Sequence, residues 1–143
     1  MDLEWKKSAL DAFAIGAEQV ITQEETAETI VPDYCPDIAR IISAEGVVCL
    51  HGGTEQDGVT GTVRVTVLYT PENESGVRAL EFAMPFSAQG EGLAGCAHVV
   101  VETEIELLES RMLNPRKIFT RCKLVTHLAG CRKVCLTISS DAE

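Results

Sequence analysis

The chain has 143 residues, the usual size of one domain, with 45% apolar residues but only 5% aromatic ones, so a core must rest on Val, Ile and Leu. Its 22 acidic residues outnumber 12 basic ones, a formal charge of −10. That balance argues against nucleic acid and anionic membranes as partners, because binding to phosphates rests on Lys and Arg neutralising them.

At the N-terminus, Met1 to Lys7 lacks the basic start and continuous apolar run of a signal peptide, and Asp11 interrupts the nearest candidate. No stretch reaches the roughly 20 apolar residues that span a bilayer, so the expectation is a cytoplasmic protein without membrane insertion. Residues 1–17 form an N-terminal extension in which Leu3, Leu10, Phe13 and Ala14 fit a helix loosely and nothing caps it. From Glu18 to Val31 the chain turns to Thr, Val and Ile with glutamates, which predicts one or two exposed strands bending near Gln23-Glu24-Glu25.

Val31 to Gly46 switches from extended to helical character. Pro32 and Pro36 hold the residues before them extended. Pro36 suits a first helical position, Asp37 places a negative charge at the positive end of the helix dipole, and Ile38, Ile41 and Ile42 fall at i, i+3, i+4 ahead of Gly46. One short helix near 36–45 is predicted, with Arg40, Ser43 and Glu45 facing outward.

The remainder reads as strands. Gly46 to His51 is extended and ends at Gly52-Gly53; Asp57-Gly58 marks a tight turn. Between Thr62 and Tyr69, the residues Val63, Val65, Val67 and Tyr69 share one face. After the loop Thr70 to Gly76, Leu80, Phe82, Met84 and Phe86 share another. Matching these faces across a hairpin sets Val65 opposite Phe82 and Val67 opposite Leu80. Pro85 removes a ladder donor and predicts an edge strand or a bend there.

Beyond the connector Gly90 to Gly95, Val99, Val101, Ile105 and Leu107 face one way and His98, Glu102, Glu104 and Glu106 the other. A loop is expected from Glu109 to Arg116. Ile118, Cys122, Leu124 and Leu128 then face inward, and Lys117, Phe119, Arg121, Lys123 and His127 outward. Antiparallel pairing is expected to set Glu104 near Arg121 and Glu102 near Lys123. Gly130 to Lys133 is read as a turn into a last strand with Val134, Leu136 and Ile138 inward, and 140–143 as a tail.

Six cysteines, at 35, 49, 96, 122, 131 and 135, include no CxxC, and His51, His98 and His127 do not repeat a zinc spacing. They read as small packed thiols, with no metal and no cofactor expected. The sequence holds no nucleophile elbow, phosphate loop, dinucleotide fingerprint or HExxH helix, so no catalytic residues are assigned and no enzyme is expected.

Two segments carry a resemblance. Val31 to Gly46 is similar to the P-x-x-x-P-D-I-x-x-I-L-x-x-x-G segment of the SPOCS domain, a β-rich module of sporulation and cell-surface proteins in endospore-forming Firmicutes. Leu113-Asn114-Pro115-Arg116-Lys117-Ile118 resembles its PRKI-type signature. The likeness spans 18–139 and implies an all-β, β-sandwich-like, largely antiparallel domain with one short helix.

It further implies a non-enzymatic protein-interaction module of spore-envelope (coat) assembly, on the mother-cell side at the forespore surface, with protein partners. Relatives often carry a LysM module. Family-motif structural or contact positions are Pro32, Asp33, Pro36, Asp37, Asn114, Pro115, Arg116 and Lys117; Arg116 is expected to form an internal ion pair with Asp33 or Asp37. Arg40 and Glu45 are candidates for a partner surface, and a homo-oligomer is open. The alternative is a β-sandwich binding a glycan or cell-wall ligand, for which Trp5, Tyr34 and Tyr69 are a thin supply of stacking platforms.

Overall fold

A computed structural model describes the backbone of residues 6–51, 58–90 and 98–140, and the side chains of residues 18–51, 58–90 and 99–131. The described chain is all β, in six antiparallel strands: β1 Lys6–Ile30, β2 Ile38–Leu50, β3 Gly58–Pro71, β4 Arg78–Gln89, β5 His98–Asn114 and β6 Lys117–Ser140. They form two three-stranded sheets, β1-β6-β5 and β2-β3-β4. Residues 31–37 cross from the first sheet to the second.

Period-2 patterning explains the core. Val63, Val65, Val67 and Tyr69 of β3 and Leu80, Met84 and Phe86 of β4 pack against Ile118, Cys122 and Leu124 of β6, joined by Ile38, Ala27, Ile105, Leu108 and Met112. Each large aliphatic side chain taken fully out of water contributes roughly 1.5–3 kcal/mol. Two buried threonines in this apolar layer are satisfied by cross-strand hydroxyls: Thr120 by Ser110 at 2.7 Å and Thr126 by Thr103 at 3.0 Å. The β3–β4 register sets Val65 opposite Phe82 and Val67 opposite Leu80, as the matched faces require, and Pro85 lies on the edge strand β4.

Two glycines set close approaches. At Gly61 a Cβ would meet the Phe86 ring at 2.7 Å and the Cys49 carbonyl at 2.8 Å, because the ring lies over the glycine on the neighbouring strand. At Gly46 it would meet Ile105 and Leu108 of the facing sheet at 3.0 Å, so this residue serves inter-sheet packing and does not stop a helix.

The helix expected near 36–45 does not form: Ile38 to Leu50 is strand. Register shifts fall between Ile38 and Arg40 and between Ile41 and Ser43. Each β-bulge adds one residue, which stretches the inward-facing spacing from two to three, so Ile38, Ile41 and Ala44 imitate the i, i+3 step of a helix. The carbonyls such a helix would use are taken elsewhere: Pro36 accepts from the Tyr69 hydroxyl, Asp37 from the Glu72 amide and Arg40 from Thr70 Oγ1. β-branched isoleucine also suits a pleated surface.

Other local expectations are likewise corrected. From Lys6 onward the N-terminal segment is strand, with no helix, and β1 runs past Gln23–Glu25 without a bend; its irregularity lies between Ile15 and Ala17. β6 continues unbroken through Gly130–Lys133, pairing with β1 as far as Lys6 opposite Ser140. The expected loop at Glu109–Arg116 is strand as far as Asn114, followed by a tight turn. Bulges between Ile105 and Leu107 and between Met112 and Asn114 shift the pairing. Glu109 therefore lies opposite Arg121, Glu104 opposite Val125 and Glu102 opposite His127. The first bulge also leaves Leu107 36% exposed and turns Leu108 inward. The expected turns at Gly52–Asp57 and the connector Gly90–Gly95, apart from Gly90, lie outside the described residues, as do the side chains of Val134, Leu136 and Ile138.

Candidate functional site

Among the described residues a dense polar cluster sits where the β1–β2 crossover meets the β5–β6 turn. Asn114 Oδ1 accepts the backbone N–H of Arg116 at 2.8 Å, an Asx-type contact that tightens the turn. The turn then captures the crossover: the Val31 amide donates to the Arg116 carbonyl at 2.8 Å and the Ile38 amide to that of Pro115 at 2.9 Å.

The guanidinium of Arg116 completes the junction. Nη1 donates to the Cys35 carbonyl at 2.7 Å and to Asp37 Oδ1 at 3.0 Å; Nη2 donates to the carbonyls of Val31 at 2.9 Å and Pro32 at 2.8 Å. All four N–H bonds of the two terminal nitrogens are thus used, which the planar fork permits and an ammonium would not. The expected internal ion pair is made with Asp37. Asp33 lies 3.9 Å from Nη2 with its carboxylate fully solvated, so it adds little.

Pro32 and Pro36 supply the extended backbone, and Pro32 also accepts from the Cys35 amide at 2.9 Å to close a turn over Asp33 and Tyr34. Tyr69 anchors the far side through its hydroxyl to the Pro36 carbonyl at 3.2 Å. Burial raises the Tyr69 pKa above its ordinary value of 10.0, and the neighbouring Cys35 adds to the shift, so the hydroxyl remains a donor. Being buried, Tyr69 offers no stacking platform to a glycan; Tyr34, 89% exposed, is available, and Trp5 lies outside the described residues.

Seven of the eight motif positions, Pro32, Asp33, Pro36, Asp37, Asn114, Pro115 and Arg116, therefore meet at one junction. Lys117 does not: alternation sends it to the outer face of β1-β6-β5, where it pairs with Glu28 at 2.9 Å. That face carries a basic row on β6 between acidic rows on β1 and β5. Arg121 Nε lies 3.2 Å from Glu109 and 3.6 Å from Glu24 yet donates a hydrogen bond to neither. Arg111 stacks over Phe119, 5.1 Å from the ring centroid.

Arg40 and Glu45 are both exposed on β2, where the bulge at Ile42 brings them to the same outer face of β2-β3-β4. Glu102 and His127 are cross-strand neighbours, while the side chain of His98 is outside the described residues. Among the described residues no group of three or more His, Cys, Asp or Glu could hold a metal ion.

One contact was not foreseen in the residue pattern. His51 Nε2 lies 2.6 Å from Thr62 Oγ1 beside an open hollow that Glu25, Thr60 and Ser87 help to line. Arg64 stands on the outer face of β3, as the alternation with Val63, Val65 and Val67 requires, and has no ion pair among the described residues. No family model, curated protein or solved structure matches the chain.

Proposed function

We propose that this chain is a non-enzymatic protein-interaction and structural module of spore-envelope assembly, acting in the mother-cell cytoplasm at the forespore surface with protein partners. The reading starts from the resemblance of Val31–Gly46 and Leu113–Ile118 to the two SPOCS signatures. The observation that carries it is Arg116, which bonds the two segments into one junction across 79 to 85 residues of sequence. Residues spent on holding backbone in place, with acceptors that are mostly carbonyls, suit a scaffold that presents surfaces better than one that performs chemistry.

The outer face of β2-β3-β4, with Arg40 and Glu45, is the surface this reading assigns to recognition. Localisation of a fluorescent fusion of the full chain in sporulating cells tests it. A shell at the forespore surface, lost in a folded Arg40→Glu/Glu45→Arg variant, is the expected result. Uniform cytoplasmic fluorescence throughout sporulation would overturn the reading.

A further inference from the structure

The outer faces of the two sheets differ in where their ion pairs fall. On β1-β6-β5, Lys117 pairs with Glu28 and Arg121 lies between Glu24 and Glu109, although Lys123 and Glu104 have no ion pair among the described residues. On the middle of β2-β3-β4 the register gives successive rows Ser43–Leu68–Ala79, Glu45–Thr66–Glu81, Val47–Arg64–Ala83 and Cys49–Thr62–Pro85. Apolar and small residues dominate, Val47 is 64% exposed, and the charges Glu45, Arg64 and Glu81 have no hydrogen bond or ion pair among the described residues. An open hollow of about 590 Å³ lies over Val47, Arg64, Thr66, Glu81 and Ala83.

We infer that this face is covered by the same face of a second copy of the chain, in a two-fold, face-to-face dimer. The row pattern is self-complementary in one orientation. A two-fold axis running across the strands, between the Arg64 row and the Thr66 row, sets each Arg64 over Thr66 of the other copy, between that copy's Glu45 and Glu81. The same rotation stacks Thr62 on Leu68, Pro85 on Ala79 and Cys49 on Ser43, and sets Val47 over Glu45 and Ala83 over Glu81, so each cation gains two carboxylates whose stems lie against small apolar side chains. An isologous interface of this kind closes with two copies and does not propagate into a fibre.

The area suffices. Three strands ~4.8 Å apart and ~12 residues long at ~3.3 Å each present about 550 Å² per copy, or ~1,100 Å² in all, near the lower end of specific interfaces. The envelope reading assigns this same face, through Glu45, to partner recognition, so a partner and the second copy would compete for it; the inference does not rest on that reading, because dimerisation is measured on the purified chain and localisation in cells.

Sedimentation of the full chain, with the solvent-facing variants Arg64→Glu and Glu81→Arg, tests it. Wild type is expected to move from 15.5 kDa to twice that mass as concentration rises to ~500 μM, above the ~100 μM dissociation constant of a weak interface. Each single variant places like charges together and is expected to weaken association at least ~10-fold. An equimolar mixture of the two restores an opposite-charge pair between positions 64 and 81 at both contacts, with Glu45 unchanged in each copy, and is expected to recover the dimer as a heterodimer. A wild type that stays monomeric throughout, variants that associate as wild type does, or a mixture that remains monomeric would each overturn the inference.

Discussion

Arg116 Nη1 lies 2.7 Å from the carbonyl oxygen of Cys35, a residue 81 positions earlier in the chain. Three further bonds from the same guanidinium reach Val31, Pro32 and Asp37, so one side chain holds the crossover between the two sheets against the β5–β6 turn. Hydrogen bonds from a charged donor contribute about 1.5–3 kcal/mol, and buried acceptors left without partners cost a comparable amount.

Arg116→Lys should therefore destabilise the protein by about 2–3 kcal/mol, since an ammonium cannot serve four separated acceptors and water reaches only the outer part of the junction. Asp37→Asn, at a half-exposed carboxylate, should cost under about 1 kcal/mol, and Asp33→Asn nothing measurable. Urea unfolding of the three variants orders these effects; equal losses at Asp33 and Arg116 would refute the assignment.

Gly61→Ala should cost about 2–3 kcal/mol, because the new methyl meets both the Phe86 ring and backbone at Cys49. Gly46→Ala should cost less, as its contacts are the flexible ends of Ile105 and Leu108 and the Val63 side chain. Combining Gly61→Ala with Phe86→Leu should recover part of the loss, read as a coupling energy in a double-mutant cycle. Simple additivity would mean that the ring does not lie over the glycine.

Burial raises the pKa of Cys122 above 9.0 and that of Tyr69 above 10.0. A thiol or phenol kept neutral in the fold but free to ionise when unfolded stabilises fully below its unfolded pKa, and that contribution falls as pH rises above it. Stability should thus begin to decline near pH 9 through Cys122 and further above pH 10 through Tyr69. In Cys122→Ala the slope of unfolding free energy between pH 9 and 10 should be shallower than in wild type; identical slopes would contradict the burial.

The hairpin faces of β3 and β4 were legible in the sequence because odd valines and even Leu, Met and Phe leave only one pairing parity, and no bulge intervenes. The inward face of β6 was legible for the same reason at Ile118, Cys122, Leu124 and Leu128. β2 was not, because its two bulges turn a strand period into a helical one and no residue type marks a bulge unambiguously. The β5–β6 register slipped because the bulges at Glu106 and Leu113 lengthen β5 and shrink the expected loop to a two-residue turn. At the junction the ion pair to Asp37 was foreseeable from charge, whereas the three carbonyl acceptors of Arg116 were not, since every residue has one.

Cα secondary chemical shifts across Ile38–Leu50 offer a direct reading of that correction. They should be strand-like throughout, with local departures at Ala39 and Ile42 where the bulges lie. A run of helical shifts over 36–45 would restore the helix.

The crossover and the turn act as one cooperative junction held by Arg116. Native-state amide hydrogen exchange at Val31 and Ile38 reads out that cooperativity. In wild type both amides should exchange as slowly as core amides of β6 such as Leu124, and in Arg116→Lys they should become fast while Leu124 stays protected. Fast exchange at Val31 and Ile38 in wild type, or no change in the variant, would contradict the claim.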